Sequence, residues 1–393
     1  MQQFELIAPC HFGLESVLKR EIYDLGYDTT RVEDGRVFFA GDAESICRAN
    51  IHLRTPQRIL LNLGEFHAAT FDELFEETRK IPWEEILPDD AVCNVAKATS
   101  VKSKLFSTRD IQSIVKKAVA RRMCEARGLE RLPETGDSYP LRIFLYKDQV
   151  IVGLDTSGES LHRRGYRLKT GKAPIEETLA AALLMLTPWK PGRFLLDPFC
   201  GSGTFVIEAA MMAADIAPGL NREFVSCDWT HLIPSEIWKD SYDEARELAE
   251  TADPERGLIL GSDIDGKILS VAKENAKRAG VAHLIRFEKM PVAKMHRDEE
   301  YGFIVTNPPY GERLMHTTGG ETDAKEVLAS VYRDFGKAFA DMPTWSAYMI
   351  TSYEQAERMI GKSAQKKRKI YNGMLRTDFY QFPGPKPNKN KRG

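Results

Sequence analysis

Two short stretches hold residue types that could do chemistry. The first, "TNPPY", puts Asn307, Pro308, Pro309 and Tyr310 directly after the apolar run Phe303–Ile304–Val305. Prolines end strands because they cannot donate to a sheet ladder. A strand therefore stops here on a stiff turn presenting one amide and one ring. The Asn307 side-chain oxygen and the Pro308 carbonyl can both accept hydrogen bonds. Two acceptors beside a ring would hold an exocyclic amine and stack its base. They would also stabilise positive charge developing on that nitrogen as it attacks an electrophilic methyl group. In a folded duplex the base would first have to be flipped out.

The second stretch, "FLLDPFCGSGTFVIEAAMMAA", is a short apolar strand ending at Asp197, a turn carrying Gly201 and Gly203, and an apolar helix. Glycines let a backbone approach a ligand closely, and a helix start offers free N–H groups. The pattern is neither GxGxxG nor a Walker loop, lacking the lysine of the latter. Asp197 instead stands where a carboxylate could face a cationic group. The next strand ends in "GSDID", placing Asp263 to accept from ribose hydroxyls. A dinucleotide fold puts that acid about 20 residues on; here it is much further, so Asp215–Arg256 reads as an insertion. A metal is not needed for this chemistry, and the six scattered cysteines form no CxxC pair. Cys200, inside the glycine turn, reads as a small packing residue, and nothing pairs Ser or Cys with His for covalent catalysis.

These pieces need an open, mostly parallel sheet to bring them to one edge. From about Ala173 the strand candidates "RFLLD", "LILGSD", "IRFEK", "GFIVTN" and "SAYMITS" alternate with helical runs, and "RKIYNGMLRTDFYQF" reads as a closing hairpin. Before them, "FELIAP" and "GRVFFAG" read as strands around a helix that ends at Gly26. From about Ala43 to Asp155 follow a helix, a strand, a helix, the strand "AVCNVAKA", a long basic helix and a hairpin. In that long helix Ile111, Ile114, Val115, Ala118 and Val119 form one stripe, with Lys116, Lys117, Arg121 and Arg122 mostly off it.

The 393 residues suggest two or three domains, and 42% hydrophobic with 28% charged residues describes an ordinary globular chain. Net charge is −2, but Lys97–Arg131 holds ten basic residues against three acidic, and Leu161–Lys172 five against none. Such blocks can form a phosphate-binding face. No apolar stretch reaches the ~18 residues of a membrane helix, and Met1 opens no leader signal, so the expected location is the cytoplasm.

DPFCGSGT followed by NPPY resembles the S-adenosylmethionine-dependent amino-methyltransferases. With "LHRRGYR", "APIEETLAAALL", "DIAPG", "TNPPYGERL" and "YNG", the chain looks like the THUMP-containing guanine-N2 methyltransferases of 23S ribosomal RNA, over nearly its whole length. That resemblance implies an α/β fold: a Rossmann-like class I methyltransferase domain preceded by an α+β ferredoxin-like and THUMP RNA-binding module. The implied layout is a ferredoxin-like unit at 1–45, THUMP at 46–155, a linker at 156–172, the methyltransferase domain at 173–382 and a basic tail at 383–393. With only one such domain, one reaction is expected. The cofactor would be S-adenosylmethionine, with its methionine part cradled by Asp197, Phe199, Cys200, Gly201, Ser202, Gly203 and Thr204. Asp263 would take the ribose and Ile264 would lie beside the adenine. The third-strand position falls near Glu288–Met290, where no aspartate stands. Asn307, Pro308, Pro309 and Tyr310 would be catalytic, and Glu312 and Arg313 could read a base edge or a phosphate. The partner would be RNA, 23S rRNA first, touched by Lys102, Lys104, Lys116, Lys117, Arg121, Arg122, Arg163 and Arg164. NPPY itself serves adenine N6, cytosine N4 or guanine N2. A transfer-RNA enzyme, a DNA adenine methyltransferase and a non-catalytic RNA assembly factor therefore remain alternatives.

Overall fold

The computed structural model describes residues 3–167, 175–310, 321–373 and 375–387, with only the backbone at 321–324. The chain divides into two compact units. One comprises Met1–Cys10, Leu18–Leu161 and Arg222–Glu244; the other comprises His11–Val17, His162–Asn221 and Ala245–Gly393.

The first unit is built on one seven-stranded sheet. Its strands are β1 (Phe4–Pro9), β2 (Thr29–Glu33), β3 (Arg36–Gly41), β4 (Leu60–His67), β5 (Val92–Val101), β6 (Ser138–Tyr146) and β7 (Gln149–Asp155), in the order β2-β3-β1-β4-β7-β6-β5. The sheet is continuous across residue 45, because β1 pairs with both β3 and β4. Its helices are α1 (Glu15–Asp24), α2 (Ala43–His52), α3 (Phe71–Lys80) and α4 (Thr108–Arg127). Local chemistry sets the boundaries of the last three. Asp42 with Ser45, and Thr70 with Glu73, form capping boxes at the starts of α2 and α3. Ser107 caps α4, and Gly128 ends it in the left-handed region at φ 64°. The expected stripe of α4 is buried at Ile111, Val115, Ala118 and Val119. The edge strand β2 was not apparent from the sequence, because its "TTRVE" carries no buried residue.

The second unit also holds a seven-stranded sheet: β8 (Leu195–Asp197), β9 (Ile259–Asp263), β10 (Ile285–Lys289), β11 (Phe303–Thr306), β12 (Ser346–Thr351), β13 (Lys366–Asn372) and β14 (Leu375–Phe382). Their order is β10-β9-β8-β11-β12-β14-β13. Only β14 runs antiparallel, between β12 and β13. In chain order α5 (Glu177–Met185), α6 (Thr204–Ala213), α7 (Ser235–Thr251), α8 (Gly266–Arg278), α9 (Glu321–Ala340) and α10 (Ala356–Ile360) separate most of these strands. Successive residues of a strand feed opposite faces. Leu195 and Val305 join one core with Phe205 and Ile207 of α6, whereas Leu196 and Ile304 join another with Phe335 and Phe339 of α9. Strand order reverses between β8 and β11, which opens a crevice outside their carboxyl ends. Among the described residues no helix is long and apolar enough to cross a membrane.

Within the expected run of 173–382, residues 222–244 cluster with the first compact unit. The Trp229 indole stacks on Tyr139 with centroids 4.7 Å apart, and its N–H donates to the Ser138 carbonyl at 3.0 Å. Ser226 donates through its hydroxyl to the Thr156 carbonyl at 2.7 Å, and Arg48 donates from Nη2 to Glu244 at 2.8 Å. Trp229, Ile233 and Trp238 are all buried. Their apolar area is what draws this segment onto the N-terminal sheet.

Candidate active site

Three strand ends of the second unit place the chemistry-bearing residues at one crevice. Asp197 closes β8, Asp263 closes β9 and Asn307 follows β11. Asp197 is 2% exposed. Its Oδ1 accepts from Thr306 Oγ1 at 2.6 Å and from the Phe199 N–H at 3.1 Å. Burial pushes the Asp197 carboxyl up to about 7, aided by the nearby Asp263, although both hydrogen bonds pull the other way. The Asp263 carboxyl is also raised, chiefly by burial. Two acids held above their ordinary range in one crevice would gain from a cation beside them.

The glycine turn is pinned from below by β9 and α8. Cys200 N–H donates to the Ser262 carbonyl at 2.9 Å, Gly201 N–H to Asp263 Oδ2 at 3.0 Å, and Asn275 Nδ2 to the Ser202 carbonyl at 3.0 Å. Asp263 Oδ1 in turn accepts from the Asp265 N–H at 2.9 Å, tying the turn to the start of α8. Gly201 has φ +53°, and a Cβ built there would meet nothing within 4 Å. Gly203 has φ +88°, and its Cβ would press on Ala272 and Ile207 at 3.2 Å. One glycine keeps space open above the turn; the other lets α6 and α8 close beneath it. Cys200 is buried, and burial raises its thiol well above the ordinary range, which suits a packing residue. Ile264 is 69% exposed next to Asp263. At the third strand, Glu288 receives Arg297 at 2.9 Å and lies 2.7 Å from Arg286.

Asn307 carries the feature with most chemical content. Its Oδ1 is buried and has no hydrogen-bond partner among the described residues. A buried acceptor left unpaired costs roughly 1–3 kcal/mol, so it marks a place for a donor. The turn around it is braced. Tyr332 of α9 donates to the Pro309 carbonyl at 3.3 Å and shares a 2.6 Å hydrogen bond with buried Thr351. Asn372 of β13 donates to the Tyr310 hydroxyl at 3.3 Å, which ties the buried Tyr310 to the C-terminal hairpin.

Thr306, Tyr332, Asn372 and Arg167 were not singled out from the sequence. Arg167 donates to Thr204 Oγ1 at 2.6 Å, at the first turn of α6. Thr306 stands next to Asn307, Asn372 lies within "YNG" and Arg167 ends "LHRRGYR"; only Tyr332 stood near no visible motif. Glu312 and Arg313 lie outside the described residues. Of the basic residues expected on RNA, Lys102, Lys104, Lys116, Lys117, Arg121 and Arg163 are exposed. Lys116 pairs with Glu134 at 2.9 Å, Arg121 with Glu125 at 2.5 Å, and half-buried Arg122 donates from Nε to Glu84 at 2.9 Å. Arg164 does not belong to that set. It is 4% exposed and lies 3.6 Å from the fully buried Glu208, a pair that each partner needs once removed from water.

Fold and site together define a class I methyltransferase domain behind a ferredoxin-like and THUMP module. The family model described as "RMKL-like, methyltransferase domain" matches residues 164–381. An "RlmL ferredoxin-like domain" matches 5–60 and a THUMP domain 68–155. The chain belongs to the RMKL-like methyltransferase family. Among its relatives, YpsC of Bacillus subtilis strain 168, named as a candidate RNA methyltransferase, is 47% identical over 97% of this chain and 96% of its own length. The ribosomal RNA large subunit methyltransferase K/L of Methylococcus capsulatus is 35% identical over 96% of this chain. That match takes in 51% of the relative, so the chain spans about half its length. Among solved structures, a "possible methylase" of Clostridium difficile 630 superposes with a TM-score of 0.93 at 46% identity, covering 99% of this chain and 100% of that one. SMU.472, a candidate methyltransferase in complex with S-adenosylhomocysteine, gives 0.89 at 38% identity, covering 99% and 100%.

Proposed function

We propose that the chain transfers the methyl group of S-adenosylmethionine to the exocyclic N2 amine of a guanine in 23S ribosomal RNA. The observation that carries this reading is the buried Asn307 Oδ1, without a hydrogen-bond partner among the described residues, at the carboxyl edge of β11 in the same crevice as Asp197 and Asp263. A K/L relative named for the large ribosomal subunit RNA and the THUMP match support RNA as the acceptor.

The residues present fit the cofactor. Gly201 leaves open space where a side chain would otherwise stand, and Asp197 offers a carboxyl whose described hydrogen bonds both fall on Oδ1. Asp197 and the turn Phe199–Thr204 would hold the amino-acid end, Asp263 the ribose, and Ile264 the adenine. Bound S-adenosylmethionine supplies a methyl group already activated on a sulfonium sulfur. The protein's own task is alignment and charge. Asn307 Oδ1 accepts a hydrogen bond from the target amine, orients its nitrogen and stabilises the positive charge that develops there. The Pro308 carbonyl is the second acceptor. Tyr310 presents a ring to the base, held by Asn372, while Tyr332 fixes the Pro309 carbonyl.

The test is mass spectrometry of nucleosides from cells lacking the gene, complemented with the wild type or with Asn307→Ala. The expected result is loss of N2-methylguanosine from 23S RNA, restored only by the wild type. Loss confined to transfer RNA would keep the chemistry and overturn the substrate. Unchanged RNA with lost DNA methylation would overturn the RNA reading.

A further inference from the structure

The largest fractional exposure of any large hydrophobic side chain among the described residues is at Phe106, 83% exposed in the loop between β5 and α4. A single exposed ring means little on its own. This one sits within a built surface of the first unit. Val101 at the end of β5 is opposite Tyr146 at the end of β6, and they are 52% and 47% exposed. The two loops beyond these strand ends are laced together. Lys147 N–H donates to the Val101 carbonyl at 3.2 Å, Lys104 N–H to Asp148 Oδ1 at 2.7 Å, and Asp148 N–H to Ser103 Oγ at 3.0 Å. Ser100 Oγ donates to the Leu105 carbonyl at 2.5 Å, anchoring the residue before Phe106. Rings and cations there are carried on a fixed frame.

Charge and backbone single out the same place. Lys102, Lys104, Arg109 and Lys147 are all exposed around these apolar groups, and Lys147 Nζ stands 5.1 Å from the Tyr146 ring centroid. The acids nearby are Asp110, in the first turn of α4, Asp148, which already accepts a backbone N–H, and Glu73, the capping acid of α3, which feels the charge of Lys104. Lys102 has φ +53°, while Lys147 and Asp148 form a two-residue turn with φ +52° and +63°. Glycine or asparagine would fill the two lysine positions with less strain. Lysine stands at both, so each places a cation where the backbone disfavours a side chain.

From this we infer that Phe106 and Tyr146, collared by Lys102, Lys104, Arg109 and Lys147, form a stacking platform for unpaired nucleotides of the RNA substrate. The inference rests on the reading of the chain as an RNA methyltransferase and narrows its partner. A ring standing out of a basic surface meets a base face only where the RNA is single-stranded; in an A-form duplex those faces are stacked away. The lysines and Arg109 follow the phosphates, and the rings take the bases in a sequence-tolerant way.

The experiment is fluorescence anisotropy of the full-length protein with a labelled oligouridylate of about 12 nucleotides and with a duplex RNA of equal length, over a series of salt concentrations. Phe106→Ala is expected to bind the oligouridylate about tenfold more weakly, with the slope of log K against log salt unchanged. Phe106→Trp should restore the affinity, and its own emission should be quenched on binding. Lys102→Ala with Lys147→Ala should instead flatten the salt slope by about 1.4 for the oligouridylate and about 1.8 for the duplex. The platform is overturned if Phe106→Ala binds the oligouridylate as the wild type does, or weakens both RNAs equally. It is also overturned if the variant changes only self-association on a sizing column, which would make the patch a protein contact. Failure of the wild type to bind either RNA would sink the RNA reading itself.

Discussion

Asp197 is where a single residue's environment makes a measurable claim. Its carboxyl titrates near 7 when folded, against an ordinary value of 3.8, because it is buried. Between those values the folded chain holds a proton that the unfolded chain has lost. Stability therefore falls as pH rises through that window, the opposite sign from a salt-bridged acid. Asp197→Asn is expected to raise the melting temperature of the cofactor-free protein at pH 8 but not at pH 4. Asparagine keeps Oδ1, and with it the bonds from Thr306 and Phe199. Differential scanning fluorimetry at the two pH values decides this. The wild type should also bind S-adenosylmethionine more tightly as pH rises from 6 to 8 and release a proton on binding below about 7, read by calorimetry in buffers of different ionisation enthalpy. Asn307 belongs to the same scale but to a different step. Removing one acceptor aimed at a developing charge costs about 10²–10³ in turnover, so Asn307→Ala should lose that much in kcat while cofactor affinity stays within about twofold. An equal loss in cofactor affinity would show that Asn307 shapes the fold of the crevice instead.

The elements matter through what they let a turn do. Gly201 and Gly203 share one turn, yet substitution should fail for different reasons. Alanine at Gly201 meets no protein atom within 4 Å but must adopt φ +53°. That strain costs about 1–2 kcal/mol, while the new methyl enters the space assigned to the cofactor. Gly201→Ala should therefore keep its fold with a modest fall in melting temperature and bind S-adenosylmethionine at least about tenfold more weakly. Equal cofactor affinity would remove the turn from the binding site. Much of this level could be read from the sequence. β8, β9, β11 and β12 are short apolar runs that fit a sheet buried on both faces, and the glycines between β8 and α6 mark a close approach. The bracing could not be read. Tyr332 reaches Pro309 and Asn372 reaches Tyr310 only once α9 and β13 have folded against the turn. Arg164 misled for a related reason: a charged run looks solvated until a buried Glu208 is found beside it. β2 escaped because its pattern has no buried face.

At the scale of the whole molecule, the chain order and the compact units disagree, and the disagreement is testable. Residues 222–244 follow β8 and α6 in the chain, yet they supply Trp229, Ile233 and Trp238 to the first unit. No periodicity could reveal this, because the partner of a buried tryptophan is a tertiary fact. A fragment of residues 3–161 would lose the stacked Trp229–Tyr139 pair, the Ser226–Thr156 bonds and the Arg48–Glu244 ion pair together. Loss of one buried tryptophan already costs about 3–5 kcal/mol, a large share of what a domain has to spare. The fragment should therefore bind the dye ANS, exchange the amides of β6 quickly and unfold without a sharp transition. Arg222 donates from Nη1 to the Ser160 carbonyl at 2.9 Å, so a short glycine–serine linker can join Leu161 to Arg222. A chain of 3–161 so joined to 222–244 should unfold cooperatively and protect β6. If the two fragments show the same protection, the inserted segment only rests on the first unit. If only the joined one is protected, the N-terminal THUMP-containing module folds with residues supplied from within the catalytic chain, and Trp229→Ala in the full-length protein should weaken RNA binding while leaving affinity for S-adenosylmethionine unchanged.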